Sequence, residues 1–221
     1  MKYFVQIYIG RQKGNSGEGV KGCYNFDNSC SNCGTSAKLI GNLPVKGISA
    51  IKKDFFATFN DDFLISESLY NELILNQVNL SGIKNVVDMK DNALPYYHFT
   101  SNFVFPPFLA ESTGLKTDRQ CPICNRNGYF SEIIMGILEK GIKTQVLPLK
   151  LKYSNIEGSF LKQSDVFVTW EHMGYSNLKT EGKYVMRLAR PLLIVSEKVK
   201  SVFETLKIKD VKFEEIEIIP E

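Results

Sequence analysis

Two short stretches carry residues whose types and spacing could do chemistry. "NSCSNCGTSAK", residues 28–38, sets Cys30 and Cys33 around two other residues and follows them with Gly34; "RQCPICNRNGY", residues 119–129, repeats the spacing with Cys121 and Cys124. A CxxC turn lets two thiolates reach one ion at about 2.3 Å while backbone amides of the turn hydrogen-bond to sulfur, and two such turns complete a tetrahedron. The spacing predicts one zinc ion held by Cys30, Cys33, Cys121 and Cys124. Four protein ligands leave no open position for water, so the predicted site is structural rather than catalytic. A redox dithiol is the competing use of the same spacing, and it usually sits where a strand enters a helix whose N-terminus lowers the thiol pKa. Here turn residues follow each pair, Gly34 with Thr35 and Asn125 to Gly128, which suits metal knuckles. The remaining cysteine, Cys23, reads as a buried free thiol or a substitute ligand, and four ligands already present favour the free thiol.

The 87 residues between the two pairs exceed the spacing of about 15 to 20 found in zinc ribbons that bind nucleic acid. Closure entropy rises only with the logarithm of loop length. Zinc in small peptides supplies on the order of 10 to 16 kcal/mol, enough to close the longer loop. A split site would pin the glycine-rich stretch "GRQKGNSGEGVKG" onto the middle of the chain. Those glycines do not form GxGxxG and no helical pattern follows them, which argues against a phosphate loop.

No other stretch carries a catalytic signature. The chain has two histidines, His98 in "YYHFT" and His172 in "TWEHMG", neither with a metal-binding partner at helical spacing, and both read as packed core residues. Asp61, Asp62 and Glu171 show no acid/base pattern distinct from a polar surface. The expectation is a protein without enzymatic activity.

Composition narrows the remaining classes. At 221 residues, 43% hydrophobic and 23% charged, the chain can bury a real core and is not of disordered composition. A net charge of +3, from 27 basic and 24 acidic residues, is too balanced to argue for nucleic acid. A binding stripe would need basic residues interleaved with aromatics, and Lys143, Lys150, Lys152, Tyr153 and Lys162 could supply part of one. "LPLKLKYS" is equally a strand whose lysines alternate out to water. No window approaches eighteen uninterrupted apolar residues, so no membrane span is expected, and "MKYFVQIYIGRQKG" reads as a first strand rather than a signal peptide. The expected location is the cytoplasm, where reduced CxxC pairs favour metal binding over disulfides.

These residues need a frame to hold them, and two segments of the chain read as copies of one unit. Residues 61–89 and 190–218 share an apolar strand, Ser-Glu, an amphipathic helix, a turn and a second apolar strand; superposing Ser66 on Ser196 aligns the helices, with a two-residue gap before the closing strands. Ser66 and Ser196 are positioned to cap their helices, and Glu67 and Glu197 fall in the first turn where the helix dipole favours negative charge. Val199, Val202, Phe203 and Leu206 follow helical spacing and predict one apolar stripe. The expected fold is α+β over residues 1–221, one domain or two closely packed halves, with mixed or antiparallel sheets.

The widely separated CxxC pairs, the opening strand and the closing "RPLLIVSEKVKSVFETLKIKDVKFEEIEIIPE" resemble the double-CxxCG motif immunity proteins of bacteria. The closing segment is also similar to the C-terminal pattern of another bacterial immunity family, often encoded beside polymorphic toxins. The resemblance covers the knuckles and the last thirty or so residues. It implies a cytosolic protein that binds a cognate toxin domain and blocks it, with Cys30, Cys33, Cys121 and Cys124 as the family's four cysteines. The second knuckle departs from the family's pattern, with Asn125 where glycine is expected, and asparagine tolerates the left-handed backbone better than most residues. The alternative is a zinc-ribbon protein that binds nucleic acid or a regulatory partner. The aromatic stretch "PYYHFTSNFVFPPF" is a candidate interface or plain core.

Overall fold

Runs rich in Val, Ile, Phe and Tyr outnumber helical patterns along the chain, and strands dominate the fold accordingly. The computed structural model describes residues 2–48, 51–131, 148–154, 156–181 and 184–220. The N-terminal half contributes β1 (Tyr3–Tyr8), β2 (Asn15–Ser16), β3 (Tyr24–Asn25), β4 (Lys38–Leu39), β5 (Leu43–Lys46), β6 (Phe55–Ala57), β7 (Phe63–Ser66), helix α1 (Glu67–Leu75), β8 (Lys84–Val87) and β9 (Ala93–His98). The C-terminal half contributes β10 (Leu115–Lys116), β11 (Asn127–Ser131), β12 (Lys152–Ser154), the short helix α2 (Gly158–Leu161), β13 (Val166–Glu181), β14 (Tyr184–Ser196), helix α3 (Glu197–Thr205), β15 (Val211–Glu215) and β16 (Glu217–Ile219).

Two six-stranded sheets result, ordered β10-β11-β13-β14-β1-β15 and β2-β5-β8-β9-β7-β6, with two-stranded ribbons β12-β16 and β3-β4 beside them. Both large sheets are mixed: β11 runs parallel to β13 and β5 parallel to β8, and their other pairings are antiparallel. The α+β expectation is corrected to a mostly-β fold, about 42% strand and 13% helix among the described residues. The physical reason is length. The two Ser-Glu helices run nine residues each, whereas "DVFVTWEHMGYSNLKTE" and "YVMRLARPLLIVS" form long strands of one sheet that alternate side chains between two covered faces. No helix among the described residues is long and apolar enough to cross a membrane.

The two strand-helix-strand segments fold alike. β7 and β8 both pair antiparallel with β9, which lies between them, and β14 and β15 both pair antiparallel with β1. Each helix ends on a left-handed residue, Gln77 (φ 55°) and Lys207 (φ 55°). Beyond these, the N–H groups of Val78 and Ile208 donate to the carbonyls of Leu73 and Phe203, a Schellman closure in both. Strand register places Lys84 opposite His98 and Glu214 opposite Val5, so Lys84 corresponds to Glu214 and the two-residue gap of the sequence alignment is not needed. The middle strand differs in origin. β9 follows its unit directly, whereas β1 lies at the far end of the sequence from the unit it completes.

The caps are not equivalent. Ser66 Oγ accepts from Leu69 N at 3.1 Å, as its position before the helix predicts. Ser196 makes no side-chain cap; it is fully buried, and its own N–H donates to Asp165 O. Val199, Val202 and Phe203 are buried as the helical stripe requires, while Leu206 stays 39% exposed past the end of α3.

The central core draws on both sheets and both long helices. Phe4, Val195 and Leu193 from the first sheet meet Phe55 and Ile65 from the second, with Leu69 and Leu73 of α1 and Val199 and Phe203 of α3 among them. Phe203 sits edge-on to Phe55 with ring centroids 5.3 Å apart and lies 6.1 Å from Phe99. The opposite faces are covered separately: Tyr3, Val5 and Ile194 pack with Phe105, Tyr153 and Phe167, and Leu64, Val86 and Tyr96 pack with Leu43 and Phe56. In the stretch "PYYHFTSNFVFPPF", Tyr96, Phe99 and Phe105 belong to the core, while Pro95, Asn102, Val104, Pro106 and Pro107 are exposed.

Because Phe203 touches both sheets, Phe203→Ala should cost about 3 to 5 kcal/mol in urea denaturation and shift one cooperative transition. Separate transitions, with only one moved, would show that the sheets are held independently.

Candidate metal centre

The glycine-rich excursion after β1 places the first knuckle between β3 and β4, and the second knuckle lies just before β11. Both turns close in the same way. Gly34 N donates to Cys30 O at 2.7 Å and Asn125 N to Cys121 O at 2.9 Å; the cysteine N–H groups in turn donate to Thr35 O and Asn127 O. Gly34 and Asn125 both take left-handed backbone, φ 69° and 57°, so the asparagine fills the glycine's conformational role. Gly34 has a second constraint: a Cβ there would come within 2.9 Å of Arg187 and 2.8 Å of Leu178.

The structure brings all four predicted ligands together. The Sγ atoms of Cys30, Cys33, Cys121 and Cys124 lie within 4.8 Å of one another, Cys30 to Cys121 at 3.7 Å and Cys33 to Cys124 at 3.5 Å. Metal–sulfur bonds of about 2.3 Å in a tetrahedron give sulfur–sulfur edges of about 3.8 Å, whereas a disulfide would need about 2.05 Å. The four thiols are free and positioned to hold a metal ion. Such an ion would satisfy four sulfurs that otherwise crowd one another in a half-buried site.

Side chains that the CxxC pattern does not reveal support the sulfurs. Asn32 donates to Cys121 Sγ at 3.3 Å and to Ser176 O at 2.6 Å, tying the first knuckle to the second and to β13. Thr35 Oγ1 lies 3.1 Å from Cys33 Sγ and donates to Oδ1 of the fully buried Asn127 at 2.6 Å. The thiols are unequal. Burial pushes Cys33 up to about 12, against the opposing Thr35 contacts. At Cys121 burial also disfavours the thiolate, but the Cys124 and Ile123 backbone amides and Asn32 outweigh it and bring that thiol down to about 6. Cys23 is buried and apart from the cluster, its thiol raised to about 12 chiefly by desolvation.

A buried polar cluster lies close by, and the sequence gives little sign of it. Glu18 accepts from Arg187 Nε through one carboxylate oxygen and from Arg190 at 2.6 Å through the other. Arg187 also stacks on Tyr24, 4.2 Å from the ring centre. Asp62 lies 3.6 Å from both Arg190 Nε and His98 Nε2, and Ser16 Oγ donates to its other oxygen at 2.6 Å. The order serine–aspartate–histidine differs from a nucleophile triad, in which the histidine stands between the other two. Asp61 is bonded to Gln12, and Glu171 lies elsewhere, accepting from Phe108 N at 2.9 Å. Both histidines are buried as expected, but each has an unpartnered Nδ1.

No protein-family model matches this chain, and no curated protein is significantly similar to it.

Two outcomes check this description. Asn127→Ala and Thr35→Ala should each lower metal affinity about 10- to 100-fold in a chelator competition, because both orient the knuckles; wild-type affinity would deny them that role. The second concerns pH. Burial holds His98 below its usual range despite Asp62, aided by Arg190 and Arg187, and holds His172 well below it. Each histidine thus contributes stability that is present above about pH 6.5 and drains as pH falls. Glu171 has the opposite sign: burial raises it to about 7, so its contribution is full below about pH 4.3 and is lost as pH rises through 7. Burial opposes ionisation of Asp62, but Arg190, His98, Ser16 and Arg187 together keep it low, so its contribution is lost only below about pH 4. With the cysteines held by metal and so not titrating, two histidines oppose one glutamate between pH 5 and 6.5, and stability should fall on acidification by up to about 1.4 kcal/mol per pH unit. His98→Gln should remove most of that slope in urea titrations; an unchanged slope would mean that His98 is already protonated in the fold.

Proposed function

We propose that this chain is an immunity protein of the bacterial cytoplasm that binds a cognate toxin domain and neutralises it, with zinc at the four cysteines as a structural ion. The observation that carries the reading is the convergence of two widely separated CxxC turns on one cluster, the arrangement implied by the likeness to double-CxxCG proteins. A closed set of four thiolates fits zinc and leaves no coordination position for a substrate, so its work is to fix a surface. Ile123, inside the second knuckle, is 63% exposed, and such a metal-fixed apolar side chain suits a protein contact.

The nucleic-acid alternative loses its aromatic element, because Tyr153 is fully buried and Lys152 pairs with Glu217 at 3.0 Å; Lys143 lies outside the described residues.

The test is co-expression with a candidate toxin domain from the genes that flank this chain's own, together with the metal content of the purified protein. One zinc per chain, restored growth and a stable complex are expected. Ile123→Asp should weaken that complex about tenfold or more while leaving thermal stability unchanged. Growth arrest despite soluble, zinc-loaded protein would overturn the immunity reading, and a metal-free protein with reactive thiols would overturn the zinc.

A further inference from the structure

Between the two large sheets, roofed by the segment that follows the first knuckle, lies a cleft of about 640 Å³. That volume falls in the range of about 300 to 1,000 Å³ typical of small-molecule sites. Its floor is the buried cluster already described. Arg187 and Arg190 share one carboxylate, Glu18, and Asp62 balances the second positive charge. Burying four charges is costly and is weak evidence for added stability, so their retention calls for another reason.

Charge at the cleft's mouth is not balanced. Lys38 and Lys84 line it, both are exposed, and neither has an ion-pair partner among the described residues. Arg126 lines it as well, held by Nε to Trp170 O at 3.0 Å and by a terminal nitrogen to Ser36 Oγ at 3.2 Å, with Cys124 and Glu171 as the anionic groups that act on it. Asp61 is the one carboxylate at the mouth. Lys38 and Lys84 face Asp61 alone over a neutral floor, which leaves one positive charge in excess at the mouth of the groove.

The lining also holds unsatisfied polar atoms. His98 and His172, 8% and 6% exposed, each have an Nδ1 without a hydrogen-bond partner, and both residues line the cleft. Both Nδ1 atoms are themselves shielded from solvent, so the rings border the groove through their other atoms. Apolar walls from Phe63, Val168 and Leu193 complete a site with a few polar groups on a hydrophobic surface.

We propose that this cleft binds a small phosphate-bearing molecule, its phosphate drawn by Lys38, Lys84 and Arg126 and its body lying against His98, His172 and the apolar walls. Binding here needs no protein partner and stands whether or not the chain neutralises a toxin. The cleft depends on the metal centre through Ser36 to Leu39 and Arg126, which lie within a few residues of Cys33 and Cys124.

The chain's only two histidines both line the cleft, which makes them a direct reporter. Metal-loaded full-length protein with isotope-labelled histidine would be titrated with adenosine 5′-monophosphate, inorganic phosphate and, at matched ionic strength, sodium chloride. The expected result is saturable movement of both imidazole signals with the nucleotide at a Kd of about 1 mM or below, weaker movement with phosphate, and none with chloride. The double variant Lys38→Glu/Lys84→Glu, both at exposed positions, should keep the wild-type melting temperature and raise the nucleotide Kd about tenfold or more. Absence of saturable shifts up to about 10 mM, shifts equal to those with chloride, or an unchanged Kd in the folded double variant would each overturn the proposal.

Discussion

Four sulfur atoms from two turns far apart in sequence must meet at one point, and much of the molecule is arranged around that requirement. The excursion that carries Cys30 and Cys33 has little regular structure, only short strands β2 and β3 and a 3-10 turn at Gly17–Gly19. It is held at its far end by the second knuckle, by Asn32 on Ser176, and by Leu178 N donating to Asn32 O. Loops of this kind have few buried apolar contacts of their own, so a shared ion would supply order that packing does not.

The same excursion brings charge into the interior. Glu18 sits on the 3-10 turn and is 2% exposed, a position tolerable for a carboxylate only because two guanidinium groups from β14 meet it. Gly34, at the close of the first knuckle, lets the backbone approach Arg187 too closely for any larger residue. Sulfur cluster, charge cluster and cleft are therefore one connected arrangement, and each limits how far the others can move.

Legibility in the sequence followed the range of the interactions. The four ligands could be read because CxxC is a local pattern with one economical explanation, and the strand-helix-strand units because helical periodicity and a Ser-Glu start are local too. The mostly-β balance was harder to see, since "GYSNLKTE" has no strand-like alternation and is strand only because β14 pairs with it. Asn32, Thr35 and Asn127 looked like ordinary turn residues. Packing beside aromatics accounts for the burial of His98 and His172 but not for their unpaired nitrogens. Glu18, Arg187 and Arg190 lay in unrelated stretches, and nothing short of the folded topology brings them within hydrogen-bonding distance. Ser196 shows the reverse failure: a local cap signal identical to that of Ser66 was overridden by burial.

The two similar units also differ in when they can be completed. During synthesis β7, α1, β8 and β9 emerge in immediate succession, so the first unit has all its strands as soon as residue 98 clears the ribosome. The second needs β1, made first, and β14 and β15, made nearly last. For most of translation Tyr3, Phe4 and Val5, essentially inaccessible in the finished fold, have no strand on either side. Domains form from the N-terminal side as the chain grows, and apolar strands with open edges are the segments that aggregate. The exchange of one local strand for a distant one thus leaves an apolar early strand unpaired until the strands that flank it are made.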